Sequence, residues 1–120
     1  MNQSIIQWNC RGLKSNYNDL LVLLSNHSPE VVCLQETMLP ENNNITLKNY
    51  TLYNYICTSN QRTSGGTTIA VANTVPQHKI DLKTTLQAIA VQITLHRPIT
   101  ICSIYLPPNL TVSVEDLENV

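Results

Sequence analysis

The stretch IIQWNCRGLKSNYNDLLVLLSNHSPEVVCLQET, residues 5–37, decides the fold. Ile5, Ile6 and Trp8 favour a strand and Arg11-Gly12 breaks the run, so residues 4–9 read as a first strand. Tyr17, Leu20, Leu21 and Leu24 then recur at i, i+3, i+4 and i+7 and share one helical face. Ser15 or Asn16 can cap that helix, and Pro29 stops it. VVCLQ, residues 31–35, is a continuous apolar run of the kind that forms a strand buried on both faces. Strand, helix and strand in this span make a βαβ unit, which sets the two strands parallel. Their carboxyl ends then lie on one edge of the sheet, the edge that open α/β sheets use for ligands. Asn9 ends the first strand and Glu36 follows the second, so the topology makes them neighbours.

Beyond Thr37 the pattern changes. Residues 39–49 are polar and Asn-rich and read as a loop; 50–56 form an aromatic-rich strand; 57–66 form another loop; and 67–73 form a strand. Residues 75–84 are a connection that can include a short edge strand. In 86–95, Ile89, Val91, Ile93 and Leu95 alternate onto one face, and 99–105 return as the other arm of a hairpin. Ser113 and Asp116 stand at capping-box spacing, which predicts a helix start shortly before the last residue, Val120. The expected class is α+β, a βαβ start followed by a mostly antiparallel meander. No internal repeat, low-complexity segment or linker interrupts it, so residues 1–120 read as one domain, truncated at its carboxyl end.

The totals narrow the function. Apolar residues make up 42% and charged residues 12% of the 120, which excludes a disordered charged tail. The net charge of −1 provides no global basic field for nucleic acid, so any such attraction is local or carried by metal ions. Cys10, Cys33, Cys57 and Cys102 form no C-x-x-C and no zinc-finger spacing, and they read as buried free thiols. The start lacks the features of a signal peptide and no apolar run reaches membrane-spanning length. The expected location is intracellular, nuclear or cytoplasmic, with no membrane partner. Sequons at Asn2, Asn26, Asn44, Asn49 and Asn109 are then chance matches.

Three residues stand at strand ends with useful chemistry. A Glu36 carboxylate beside an Asn9 amide suits a hard cation, because Mg²⁺ takes few protein oxygens and keeps several waters. The plainer reading makes Glu36 a solvated loop residue and Asn9 a turn former. Tyr105, in SIYLPP, can donate to a phosphate oxygen, or it can simply pack against the sheet. Gly65-Gly66 matches no phosphate-binding fingerprint and reads as a flexible turn. His27, His78 and His96 form no ligand pair, and Arg11, Lys14 and Arg62 are most simply solvated charges.

Taken together and in order, IQWNCRGL, EVVCLQET, SGGTTIAV and ICSIYLPP resemble the endonuclease/exonuclease/phosphatase family. The WN-x-RGL and YLPP forms are most similar to the apurinic-type endonuclease domains of LINE-like (non-LTR) retrotransposons. The four blocks span Ile5 to Pro108. The resemblance implies a four-layered, DNase I-like α/β sandwich and cleavage of a DNA phosphodiester with Mg²⁺, or Mn²⁺ in its place. It implies that Glu36 and Asn9 serve the metal and that Glu36, Tyr105 and Asn9 form the catalytic set. DNA is the implied partner, together with a reverse-transcriptase domain in the same polyprotein. Oligomeric state is not implied.

The chain departs from the family in one respect. The family's Asp-x-Asn and Ser-Asp-His blocks, which orient the attacking water and act at the reacting phosphate, have no counterpart. Asp19, Asp81 and Asp116 are the only aspartates, and none is followed by His or, two residues on, by Asn. This predicts the amino-terminal part of an endonuclease domain, inactive alone. Two other readings stay open: a non-catalytic remnant or interaction module, and a phosphatase of the same family acting on a phosphorylated lipid or sugar.

Overall fold

The computed structural model describes residues 3–57 and 65–106. The elements run β1 (Ile5–Asn9), α1 (Tyr17–His27), β2 (Val31–Gln35), β3 (Tyr50–Tyr55), β4 (Thr67–Ala72), β5 (Gln77–Ile80), β6 (Gln87–Thr94) and β7 (Pro98–Tyr105). The helix and all the expected strands are present within a residue or two at each end, and the optional edge strand is β5. The expectation for Ser113, the sequon asparagines Asn2 and Asn109, and Arg62 all lie outside the described residues.

A four-stranded sheet has the order β1-β2-β4-β3 and a three-stranded sheet the order β5-β6-β7. β1 and β2 are parallel, with Asn9 opposite Gln35, as the βαβ reading requires. After β2 the chain does not simply meander: β4 inserts between β2 and β3, antiparallel to both. Composition explains the exchange. β4, TTIAVA, is small and apolar and is buried almost throughout, so it takes the central place; β3, YTLYNY, carries large amphipathic rings and stays half-buried at the edge. The β5-β6-β7 sheet is a true antiparallel meander.

β2 shows how the layers stack. Val32 and Leu34 point to one side, where they join Leu13, Leu20, Leu39 and Leu47 in a cluster beneath α1 and the 39–49 segment. Val31 and Cys33 point to the other side and meet Ile69, Val71, Ile89, Val91 and Ile93 between the two sheets. The described residues thus build three layers: helix and loop, first sheet, second sheet. Ile89, Val91 and Ile93 share the inner face of β6 as their alternation predicts, with Leu95 partly buried against the same cluster.

Three local expectations are corrected. Leu21 does not join Leu20 in the core: it is 39% exposed and lines a crevice of about 650 Å³ with Lys48 and Tyr50 at the sheet end away from Glu36. The helix docks through Leu20, with Tyr17 and Leu24 only partly buried. Asn16 is the N-cap residue but makes no side-chain cap bond; its amide donates back to the carbonyls of Cys10 and Gly12. Of the thiols, only Cys10 and Cys33 are buried; Cys57 is half-buried and Cys102 exposed. Cys102 occupies the outward position of β7 between the inward-facing Ile101 and Ser103.

Candidate active site

The carboxyl ends of β1 and β2 are tied together one residue at a time. Cys10 N–H donates to the Gln35 carbonyl (3.0 Å), Gly12 N–H to the Glu36 carbonyl (2.7 Å) and Leu13 N–H to the Thr37 carbonyl (2.9 Å). To follow this path the backbone turns left-handed at Arg11 (φ 49°), Gly12 (φ 107°), Glu36 (φ 53°) and Met38 (φ 53°). Non-glycine residues enter that region only when their surroundings hold them there, and such residues concentrate at functional sites. Cys10 is enclosed in this turn, its Sγ 3.5 Å from the Gln35 carbonyl oxygen and 3.9 Å from that of Glu36. Burial holds its thiol above the ordinary range.

This frame presents the Glu36 side chain at the sheet edge, 19% exposed. Tyr105, at the end of β7 in the other sheet, donates its hydroxyl to Glu36 Oε1 at 2.8 Å. Arg11 Nε lies 4.0 Å from Oε2 on a side chain that is 84% exposed, a contact that water screens heavily. The Tyr105 phenol is pushed above its usual range by burial, then by its bond to Glu36 and by that carboxylate's charge. It therefore stays protonated, and a donor, throughout the neutral range.

Asn9 is exposed at the end of β1 and pairs through its backbone with Gln35, one residue from Glu36. Among the described residues no side-chain hydrogen bond joins it to Glu36. The structure thus joins Tyr105 to Glu36 directly and brings Asn9 to the adjacent backbone rung. Lys14, His27, His78 and His96 are exposed, as solvated residues should be.

The Gly65-Gly66 pair is not the flexible turn its composition suggests. Both residues are left-handed, and both are buried against the Glu36 loop. Met38 N–H donates to the Gly65 carbonyl at 2.9 Å and Thr37 N–H to that of Gly66 at 3.4 Å. A Cβ on Gly66 would stand 2.9 Å from Thr37 Oγ1 and 3.1 Å from the Tyr55 carbonyl oxygen. The amide oxygen of Gln87 accepts from Gly66 N–H at 2.7 Å, and Gln87 is itself the cross-strand partner of Tyr105. Gln87 therefore links the tyrosine's strand to the turn that carries Glu36. Nothing in the sequence marks it, because one glutamine at a strand start carries no signal. Gln35 carries a faint one, as a polar residue ending the apolar run VVCL.

Among the described residues no three His, Cys, Asp or Glu side chains gather into a metal cluster. One partly exposed carboxylate with an amide nearby still fits a cation that takes one or two carboxylates and keeps its waters, as Mg²⁺ does. No helix among the described residues is long and apolar enough to cross a membrane.

Comparison with known proteins agrees with the fold. The endonuclease domain of TRAS1, a telomere-specific non-LTR retrotransposon, superposes with a TM-score of 0.64 at 18% identity, covering 89% of this chain and 47% of its own. The 3′ phosphatase NExo (D146N) from Neisseria, bound to a product DNA hairpin, gives 0.59 at 18% identity over 83% of this chain and 40% of its own. Humanized TDP2 of D. rerio gives 0.57 at 19% identity over 98% of this chain and 54% of its own. The chain thus spans about half the length of these structures, and at such identities the likeness establishes the fold, a DNase I-like arrangement of mixed sheets. A search of curated protein sequences found no match. The profile of the endonuclease/exonuclease/phosphatase family matches residues 6–109, and the chain belongs to that family.

Proposed function

We propose that this chain carries one side of a divalent-metal-dependent phosphodiesterase centre that nicks DNA, of the kind found in non-LTR retrotransposon endonucleases. The observation that carries the reading is the hydrogen bond from Tyr105 to Glu36, which joins the ends of two different sheets at the ligand-binding edge. Tyr17 and Tyr50 donate their hydroxyls to the backbone carbonyls of Thr46 and Pro29, and Tyr53 donates to the neutral side-chain amide of Gln77. Tyr105 instead meets the carboxylate that the family motif CLQET assigns to the metal. The WN-x-RGL and YLPP forms favour the retrotransposon branch, in which a reverse-transcriptase domain of the same polyprotein would use the nick.

In this reading Glu36 holds Mg²⁺ or Mn²⁺, with the exposed Asn9 amide beside it, and the cation supplies neutralisation of charge on the phosphate. That explains how a chain of net charge −1 can serve a polyanion. Tyr105 supplies a neutral donor for a non-bridging phosphate oxygen, since its raised pKa keeps the proton on the phenol. The three aspartates lie outside any Asp-x-Asn or Asp-His pair, so the chain carries no counterpart of the family's water-activating groups. Groups that act as a unit lose nearly the whole rate when part of the unit is gone, so the chain alone is expected to nick at least about 10⁴-fold more slowly than a complete domain.

The test is Mn²⁺ titration followed by calorimetry, with a plasmid-nicking assay alongside. Wild-type chain should bind one Mn²⁺, Glu36→Ala should abolish that binding, and neither should nick plasmid appreciably. Mn²⁺ binding indifferent to Glu36→Ala, or robust Glu36-dependent nicking by the chain alone, would overturn the proposal or its inactivity clause respectively.

A further inference from the structure

Just inward of Glu36 and Tyr105, a line of polar side chains crosses the apolar space between the sheets. Gln7 Nε2 donates to Gln35 Oε1. Gln35 Nε2 lies 2.9 Å from Ser103 Oγ, Ser103 Oγ is hydrogen-bonded to Thr67 Oγ1, and Thr67 Oγ1 donates to the Leu34 carbonyl at 2.9 Å. Gln35, Ser103 and Thr67 are all buried.

The proton inventory gives this line a direction. Thr67 has one hydroxyl proton, and it is committed to Leu34. The proton between Thr67 and Ser103 is therefore that of Ser103, which leaves Ser103 able only to accept from Gln35. The Gln35 group facing Ser103 is then its NH₂, and its carbonyl faces Gln7. Every donor points the same way, from β1 through β2 and β7 to β4. Running the line backwards would forfeit the bond to Leu34.

Ser103 and Tyr105 are two residues apart on one face of β7, and Gln35 immediately precedes Glu36. Two successive rungs therefore span from the end of β2 to the end of β7: Gln35–Ser103 inside, Glu36–Tyr105 outside. The inner rung is buried and satisfied, so breaking it strands polar atoms in a low-dielectric space; the outer rung faces solvent and is the weaker of the two. The surrounding cluster is aliphatic, and a leucine at position 35 would suit it better for packing alone.

We infer that Gln35 is a positioning residue: through Ser103 it sets the separation of β2 and β7 that lets Tyr105 reach Glu36. This rests on the reading of Glu36 and Tyr105 as a functional pair. It assigns Gln35 no contact with metal or phosphate.

The experiment uses the 120-residue chain and three variants, Gln35→Leu, Ser103→Ala and Ser103→Thr, with Glu36→Ala as reference. Three quantities are read: the nuclear Overhauser contact between the Tyr105 ring and the Glu36 methylenes without metal, the Mn²⁺ dissociation constant, and the urea midpoint. Gln35→Leu and Ser103→Ala should both lose the Tyr105–Glu36 contact and weaken Mn²⁺ about 10-fold, the lower end of what outer partners of metal ligands cost. Ser103→Thr keeps the hydroxyl and should stay within about threefold of wild type. The inference is overturned if Gln35→Leu or Ser103→Ala keeps the contact and the affinity, whatever happens to the urea midpoint. If Gln35→Leu does not fold, Ser103→Ala decides alone, since it removes a single oxygen. If wild type shows no Glu36-dependent Mn²⁺ binding, the functional reading fails, while the metal-free contact still decides whether Gln35 positions Tyr105.

Discussion

Gly66→Ala isolates what holds the Glu36 turn in place. Gly66 has φ 86°, so any L residue there is strained by about 1–2 kcal/mol. Space adds to strain. The new Cβ would stand 2.9 Å from Thr37 Oγ1, a side chain that is 1% exposed, and 3.1 Å from the Tyr55 carbonyl oxygen, which is β3 backbone. Neither neighbour can swing aside, and overfilling a tight site costs about 1–3 kcal/mol more. The sum is about 2–5 kcal/mol, a large share of the ~5–15 kcal/mol that stabilises a typical domain. Gly12→Ala is the matched comparison. Its φ is 107°, but the nearest atom to its Cβ is 3.7 Å away, so it bears the strain without the collision. Urea unfolding should therefore rank Gly66→Ala well below Gly12→Ala. The amides of Thr37 and Met38, which donate to the carbonyls of Gly66 and Gly65, should also exchange faster in Gly66→Ala only. Equal losses in the two variants, or a loss under about 1 kcal/mol at Gly66, would refute the account of the Gly65-Gly66 pair as a packed bend.

Three further outcomes follow from packing and titration. Burial, with a smaller contribution from Cys102, pushes the Cys33 thiol up to about 11 from 9.0. Its folded pKa lies above the unfolded one, so this stabilisation is complete below pH 9 and declines as pH rises from 9 to 11, by about 2–3 kcal/mol in all; urea midpoints for wild type and Cys33→Val across that window check the sign. Exposed Cys102 should react with iodoacetamide at pH 8 in the folded protein, whereas Cys33 should need unfolding; mass spectrometry of the labelled peptides distinguishes them. Leu20→Ala should cost about 2–5 kcal/mol, because Leu20 is fully buried under the sheet, and Leu21→Ala should change stability by less than about 1 kcal/mol. Comparable losses at both leucines would restore the helical face that spacing alone suggests.

How far the sequence could be read depended on whether a residue's role repeats along the chain. The strands and helix were legible because burial imposes a pattern: the large apolar Ile89, Val91 and Ile93 at every second position of β6, the unbroken VVCLQ of β2, the Tyr17–Leu20–Leu24 stripe of α1. Topology then carried Glu36 and Asn9 to one edge with no further information, since parallel strands must end together. Leu21 shows where periodicity fails. The i, i+3, i+4, i+7 rule marks a stripe wide enough for four residues, whereas α1 meets the sheet along a narrower line, with Leu21 turned to the crevice beside Tyr50.

The parts of the site that escaped notice have no period, because each depends on one contact between residues far apart in sequence. Gly66 meets Thr37 and Tyr55, Gln87 reaches Gly66, and Gln35 reaches Ser103 across 68 residues. Such contacts arise only when two sheets face each other, and nothing local encodes which inward-facing residue will find a partner. What the sequence did offer was a mismatch: a glutamine at the end of an otherwise apolar buried strand, a serine at an inward position of β7. In a buried layer each polar atom must be matched or strain the fold, so two such mismatches on facing strands are a hydrogen bond waiting to be found. The rung that formed from them lies immediately inside the one that joins Tyr105 to Glu36. The exposed, chemically capable pair is supported by a buried pair with no chemistry of its own, and that support is what places a tyrosine from the second sheet on a carboxylate from the first.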